Sequence, residues 1–481
     1  MQVAMQAIER IRLWLKAHPI FACWIVSFCY AAYQMSWLRG TRLTDIAPDV
    51  PVVKISFTLV YVLFSFAFSI APPVAVWAYR KLRVDWKHNQ ALWLIPTLWV
   101  AAEYLQSIFF SLIIAGHFGR IGSHIIIGAL GYNLVRTPLV FLSRIGGIWI
   151  LSGVFVFLCV AILQVIYAPK QRINILLACG ILLIVTQATY LLWRQPNGAS
   201  QDIAIVQIGT NKNLKEHDRA INEQIASLPQ HSADIILLPE YSHYFAFTPQ
   251  EDIDTASKLA RTSSSILVDS YQDQSQRPYI NFVAYRHPNS SLVFRQHKWF
   301  LAPGGEYLPY FITGLLKASG NQKVIDTYVQ ERGVSSAPSR ELAYDTGVVK
   351  IGALACSGVV SPEVYRGMAS NGATLLTNSG SLDTVGLSPL YHSQTETLGI
   401  LHAVANARPF VQSARGSYSY AYDINGTLIV KDTSFSTKAM LASVQTNNTT
   451  TIYTRFGDWL ALLCTFVTIT LLGLRFKARR N

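Results

Sequence analysis

Glu240, Lys298, Glu306 and Cys356 are the residues whose types could do chemistry together: carboxylates to move a proton, a cation to hold a thiolate or an oxyanion, and a sulfur to attack a carbonyl. A thiol with an ordinary pKa of about 8.5 is only slightly ionised at neutral pH, so it needs a base or a nearby cation to act as a nucleophile. Cys356 is the sole cysteine between Ser200 and Gly457; Cys23, Cys29, Cys159, Cys179 and Cys464 all lie in strongly apolar stretches. It therefore has no partner for a disulfide framework in its own region. Lone cysteines are commonly inert, buried thiols, so the case for a nucleophile rests on its neighbours.

Those neighbours share one placement, the end of an apolar strand-type run. Glu240 ends DIILLPE, Lys298 ends FRQHK, and Cys356 ends IGALAC, while Glu306 sits in the Gly-rich turn PGGEYLP. Catalytic groups in layered α/β domains gather where a rigid strand hands over to a loop. Around these runs DIAIVQIG, SSILVDS, YINFVAYR, ATLLTNS, PFVQSA, YSYAYDI and TLIVKDT also read as strands. Leu214–Leu228, Ile253–Arg261 and Ser393–Asn406 read as helices. The mixture of hairpins and strand–helix alternation predicts an α/β layered domain with a largely buried sheet.

Composition sets this domain in a larger frame. Of the 481 residues 51% are hydrophobic and only 14% charged, too apolar for one soluble globule. The boundaries predicted are 1–195 for an N-terminal membrane bundle, 200–455 for the α/β domain and 458–475 for a last span. Spans are expected at Pro19–Leu38, Ile55–Tyr79 (kinked by Pro72 and Pro73), Ala91–Ala115, Ile145–Tyr167, Ile173–Trp193 and Trp459–Leu474. Met1–Lys16 is expected at the inner membrane surface, and Gly116–Arg144 reads as an interfacial or re-entrant piece. Glu103 and Gln106 fall inside the third span, where polar groups are costly and call for either a function or a buried partner. The net charge of +13 does not point to nucleic acid, because the basic residues flank apolar spans. Arg80, Lys81 and Arg83, then Lys170 and Arg172, then Arg475 and Lys477 all fall on one side if five spans precede the domain and one follows. The positive-inside rule makes that side cytoplasmic and the domain extracytoplasmic.

The segments LLPE, GGEYLP, the Cys356 strand with its downstream SPEVYR, and NARPFVQSARGSYSYAYDINGTL resemble the nitrilase (carbon–nitrogen hydrolase) superfamily. Together with LGYN…PLVFLSRIGGIWILSGVFV and YTRFGDW before the last span, they resemble the bacterial apolipoprotein N-acyltransferase family in particular. That resemblance implies an α-β-β-α sandwich with a Glu-Lys-Cys triad of Glu240, Lys298 and Cys356, with Glu306 orienting Lys298 or shuttling a proton. It implies an inner-membrane enzyme, monomeric and working without cofactor or metal, whose substrates stay in the bilayer. A phospholipid would donate an acyl chain to Cys356, and the amine of a diacylglyceryl-cysteine lipoprotein would receive it. Trp299 and Tyr307, in apolar stretches beside Lys298 and Glu306, are expected to line the acyl groove, with Ser357 and Ser379 in the pocket wall. Two positions depart from the family pattern: Cys356-Ser357-Gly358 replaces Cys-Tyr-Glu, and Asn378-Ser379-Gly380-Ser381 replaces an Asn-Asp-Ala-Trp-Phe-Gly type loop. They keep two alternatives open, a membrane-anchored amidase that uses water and a catalytically idle lipid- or partner-binding relative.

Overall fold

The structure, a computed structural model, describes residues 14, 17–40, 51–85, 91–123, 125–209, 214–228, 233–240, 264–289, 293–340, 342–382 and 388–478. The expected helix Ile253–Arg261 and nearly all of Met1–Lys16 lie outside them. Six apolar helices precede the α/β portion: α1 Pro19–Gln34, α2 Pro51–Ala67, α3 Ala71–Leu82, α4 Ile95–Ile113, α5 Ser143–Tyr167 and α6 Arg172–Trp193. Among the described residues five stretches are long and apolar enough to cross a membrane: Thr58–Leu82, Leu92–Ile113, Pro138–Tyr167, Arg172–Trp193 and Trp459–Ala478. α1 is shorter than that, because the chain leaves it at Met35 for the 3-10 turn Ser36–Gly40.

The break between α2 and α3 falls just before Pro72 and Pro73, which bring no N–H to the helix. The N–H of Ala71, in the first turn of α3 and so without an acceptor in its own helix, donates to Gln106 Oε1 at 2.7 Å. Glu103 Oε1 accepts from Trp99 Nε1 at 2.8 Å and from the backbone N–H of Leu130 at 3.0 Å. Both polar groups of the third span thus tie backbone segments together inside the bundle. The Gly116–Arg144 segment is irregular, with 3-10 turns at Leu130–Leu134 and Pro138–Leu142.

The α/β portion holds two sheets. One runs β13-β1-β2-β3-β4-β5, formed by Lys438–Gln445, Ser200–Gln207, Ile235–Glu240, Ile266–Asp273, Tyr279–Arg286 and Val293–His297, with the short β6 Val334–Ser335 on β4. The other runs β12-β11-β10-β9-β8-β7, formed by Leu428–Asp432, Ser419–Tyr422, Phe410–Arg415, Leu375–Ser381, Lys350–Ala355 and Tyr344–Asp345. β1, β2 and β3 are mutually parallel, as are β8, β9 and β10. Strand alternation sorts the side chains. Ile203, Ile205, Ile235 and Leu237 of one sheet meet Ile351, Ala353, Leu375 and Val411 of the other in a shared core. On the outer face of the first sheet Ala204, Val206 and Ile236 pack against Ile221 and Ile225 of helix α7, Leu214–Ala226.

The outer face of the second sheet is covered differently. After the short helices α8 Tyr310–Ala318 and α9 Gln322–Glu331, helices α10 Pro362–Ser370 and α11 Pro389–Asn406 lie on it. Their core is continuous with the apolar helices: Leu376, Phe410, Tyr365 and Leu401 share one cluster with Phe68, Phe110, Leu142 and Trp149. Buried Arg144, at the start of α5, donates to the carbonyls of Val404 at 3.2 Å and Ile424 at 2.7 Å. Arg136 pairs with Glu396 of α11 at 2.9 Å. The short helix α12 Ile452–Phe456 leads into α13, Trp459–Ala478. The two halves therefore share packing and hydrogen bonds rather than a loose linker.

Candidate active site

Glu240 and Cys356 stand at the C-terminal ends of the parallel strands β2 and β8, the end where open α/β sheets place their sites. Pro239 lacks an N–H, and the β2–β3 register slips between Leu237 and Glu240. Such an irregularity re-aims the side chain that follows it. Cys356 takes a positive φ of 47°, uncommon for a residue with a Cβ, and opens the 3-10 turn Cys356–Val360. Strain of this kind collects at functional sites.

Lys298 follows β5, where its N–H donates to Asn281 O at 2.8 Å and its carbonyl accepts from Ala337 at 3.0 Å. Its Nζ lies 2.9 Å from Glu306 Oε1 and 3.6 Å from Glu240 Oε1, all three side chains being buried. Glu306 is held by a tight turn. Gly304, with φ of 78°, donates to Tyr307 O, and Ala302 O accepts from the N–H groups of Gly305 and Glu306. The carboxylate's Oε2 accepts from Ala302 N at 2.6 Å, and its Oε1 accepts from Asn281 Nδ2 as well as from Lys298. Asn281 lies in mid-strand, within YINFVAYR, and the sequence offered no sign of it beyond a polar residue in an apolar run.

Burial pushes the Glu240 carboxyl up to about 7, against the pull of Lys298 and with the help of Glu306. Burial and the Glu240 charge raise the Cys356 thiol, with Lys298 opposing, so the resting sulfur carries its proton. That thiol donates to Ser381 O at 3.3 Å and also bonds to the Glu240 carboxylate. Burial alone would lower the Lys298 ammonium, yet Glu306, Glu240 and Cys356 outweigh it and keep it charged. A base near neutrality, a thiol within its reach and a fixed cation are suited to nucleophilic attack on an acyl carbon.

Cys356 opens onto a cavity of about 170 Å³. Phe64 and Phe68 from the α2 end, Phe110 of α4 and Met35, Trp37 and Leu38 after α1 form one side. Phe300, Ala302, Ser357, Val360, Ser381, Leu382 and Tyr391 form the other. Ser357 lines it as expected, with its hydroxyl donating to Phe300 O at 3.4 Å. Three expected wall residues are placed elsewhere. The Trp299 ring is buried between the guanidinium groups of Arg120, 5.2 Å away, and Arg340, 5.0 Å away, and its neighbour Phe300 takes the cavity position. Tyr307 points to the bundle, where its hydroxyl donates to Ile114 O at 2.9 Å. Its ring lies where a Cβ on Gly116 would come within 2.6 Å, so only glycine permits that approach. Ser379 is buried within β9, paired in register with Ala355, and Ser381 reaches the cavity in its stead. Among the described residues no group of three or more His, Cys, Asp or Glu could hold a metal ion.

The family model for carbon-nitrogen hydrolase matches residues 202–453, over half of the sequence. The chain belongs to that family. The chain is also similar to other proteins along most of its length. It is 24% identical to the apolipoprotein N-acyltransferase of Geobacter metallireducens over 433 residues, covering 84% of this chain and 78% of that protein. It is 23% identical to the apolipoprotein N-acyltransferase of Pseudomonas paraeruginosa, covering 95% of this chain and 88% of that one. The likeness thus extends beyond residues 202–453 into the apolar helices that precede them.

Proposed function

We propose that this protein is an acyltransferase that carries a fatty acyl chain from a phospholipid, through a thioester on Cys356, to the N-terminal amine of a diacylglyceryl-cysteine lipoprotein. The observation that carries this reading is the cavity, whose one wall is the nucleophile's turn and whose other wall is phenylalanines of membrane-type helices. A hydrolase of small soluble amides has no use for such a wall, whereas an acyl chain is matched to it. The relatives' names agree with the reading.

In the first half-reaction Glu240 takes the Cys356 proton and the sulfur attacks the ester carbonyl. The oxyanion is held by Lys298, a contact of a kind worth roughly 3–4 kcal/mol. As the intermediate collapses, the carbon–oxygen bond breaks and the glycerol oxygen takes the proton from Glu240, leaving a lysophospholipid and the thioester. In the second, the lipoprotein amine attacks the thioester and gives a proton to Glu240. The carbon–sulfur bond breaks, an amide forms, and the sulfur recovers the proton. Glu306, fixed by Ala302 and Asn281, keeps Lys298 aimed through both steps. No cofactor enters either step.

Both substrates stay in the bilayer, which gives a reason for fastening residues 200–455 between the bundle 1–195 and the last span 458–475. We place the protein in a bacterial inner membrane as a multi-pass monomer with its catalytic domain outside the cytoplasm. Arg144 and Trp193 bond to the carbonyls of Val404 and Thr450, Lys170 and Arg475 stand at the other ends of the helices concerned, and Leu82, two residues from Arg80, packs in one cluster with Leu471 and Leu472 near Arg475. A cytoplasmic N-terminus requires α1 to cross as well, although its 16 residues span only about 24 Å at 1.5 Å each.

The test is discharge of the loaded enzyme. Purified acyl-enzyme is mixed with a synthetic diacylated lipopeptide, and products are followed by mass spectrometry. A triacylated peptide forming in step with loss of the thioester is expected. Release of free fatty acid alone would identify water as the acceptor and the protein as a lipid hydrolase.

A further inference from the structure

A second cavity, of about 210 Å³, lies against the Cys356 cavity, and Ile127, Val360 and Tyr391 line both. Val360 ends the 3-10 turn that Cys356 opens; four residues on at about 2 Å each, it stands roughly 8 Å along that turn. The rest of the two walls differ. Phenylalanines face Cys356 in the first cavity. The second is bordered instead by Gln34 at the end of α1, by Asn133, and by Ser393 and Gln394 near the start of α11. Ser393 and Asn133 are exposed and Gln34 and Gln394 half-buried, so their polar groups are open to a ligand. Gln394 Nε2 donates to Gln34 Oε1 at 2.6 Å, which fixes the two amides against each other.

These walls discriminate among the groups the reaction brings. An acyl chain has no use for amides and hydroxyls. The phosphate of a lipid headgroup calls for a cation, and none of the described residues around this cavity is charged. A peptide backbone is uncharged and carries a donor and an acceptor at nearly every residue, which glutamine, asparagine and serine side chains complement. The acceptor's amine must reach the thioester while the acyl chain fills the space at Cys356, so the rest of the acceptor needs a place beside that space. An extended chain covers roughly 8 Å in about two or three residues. We propose that this second cavity is the acceptor's peptide site: the modified cysteine of the lipoprotein reaches past Tyr391 to the thioester, and the residues that follow it lie among Gln34, Asn133, Ser393 and Gln394. This rests on the acyl-transfer reading above.

The test uses full-length acyl-enzyme, loaded from phosphatidylethanolamine, and a series of diacylglyceryl-cysteine amides lengthened one residue at a time. Discharge of wild type at limiting acceptor is expected to quicken about ten-fold over the first two or three added residues, the worth of one or two hydrogen bonds, and then to level off. Ser393→Trp, which fills the cavity, is expected to slow discharge by the long acceptors to the rate of the bare cysteine amide, while loading from the phospholipid stays within about two-fold of wild type. The two changes delete the same contacts, so their effects do not add. Wild type discharged equally by every length would overturn the assignment. So would a Ser393→Trp enzyme slowed equally toward all acceptors, or one impaired in loading. Should Ser393→Trp fail to fold, Asn133→Trp on a different segment takes its place, and the wild-type length series decides alone. Acyl-enzyme that releases only free fatty acid, or no loading from phospholipid, would instead overturn the acyl-transfer reading, and this inference with it.

Discussion

The Lys298 ammonium lies 2.9 Å from Glu306, and that carboxylate is itself pinned by the N–H of Ala302. The pair is fully enclosed, so its geometry is set by protein rather than by water. Removing one partner of a buried pair leaves the other charge uncompensated, at a cost of roughly 3–5 kcal/mol. Glu306→Gln is expected to slow acyl-enzyme formation by about 100-fold or more. Asn281→Ala, which removes one hydrogen bond to the same carboxylate, should cost about ten-fold. Single-turnover loading rates check both. Equal, small losses would mean that Glu306 does not aim Lys298.

The pH dependence follows from Glu240. Its carboxyl titrates at about 7, and only the ionised form can take the Cys356 proton. Loading should therefore fall about ten-fold per pH unit below 7 and level off above it. Glu240→Gln should be slow and lack this limb. A profile that rises toward acid pH would assign Glu240 the opposite role.

His402 offers a separate check on the scaffold. It is buried on α11, donates from Nε2 to Val359 O at 2.8 Å, and burial lowers it to about 4. The folded state therefore favours the neutral ring. The stability this gives is fully present above the ordinary histidine value of about 6.5 and is lost as pH falls toward 4, by an amount on the order of 3 kcal/mol. Thermal unfolding from pH 7 to pH 4.5 should show a falling midpoint, and His402→Gln should flatten that trend.

The cavity predicts chain-length selectivity. Ile125 lines it from the bundle side, and a larger side chain there shortens the space for a chain. Ile125→Trp is expected to favour donors with acyl chains several carbons shorter by about ten-fold, since each buried methylene is worth about 0.8 kcal/mol. Competition between long- and short-chain phospholipids measures this directly. Unchanged preference would remove the acyl chain from this cavity.

How far the sequence foretold this site depends on the range of the interactions involved. Glu240, Lys298 and Cys356 were legible because strand-ending polar residues leave a local pattern, and the layered α/β architecture was legible from the same runs. The far wall was not. Phe64, Phe68 and Phe110 meet Cys356 only through tertiary packing, and nothing near them in sequence marks the contact. Trp299 and Phe300 differ by one position, and past the end of β5 alternation no longer says which one faces the cavity. Strand β13, Lys438–Gln445, escaped notice because its apolar run Ala439–Ala442 does not alternate and holds no β-branched residue, although it pairs with the whole of β1. The irregular Gly116–Arg144 stretch hid its role for a similar reason. Arg120, Arg136 and Arg144 each find a partner 216 to 281 residues away.

The central claim is a thioester on Cys356, and intact mass tests it most directly. Wild type and Cys356→Ala are incubated with a phospholipid of defined chains. The account predicts a mass gain of one acyl group on wild type alone, removed by hydroxylamine. A folded wild type that gains no such adduct, or a Cys356→Ala protein that gains the same one, would contradict it.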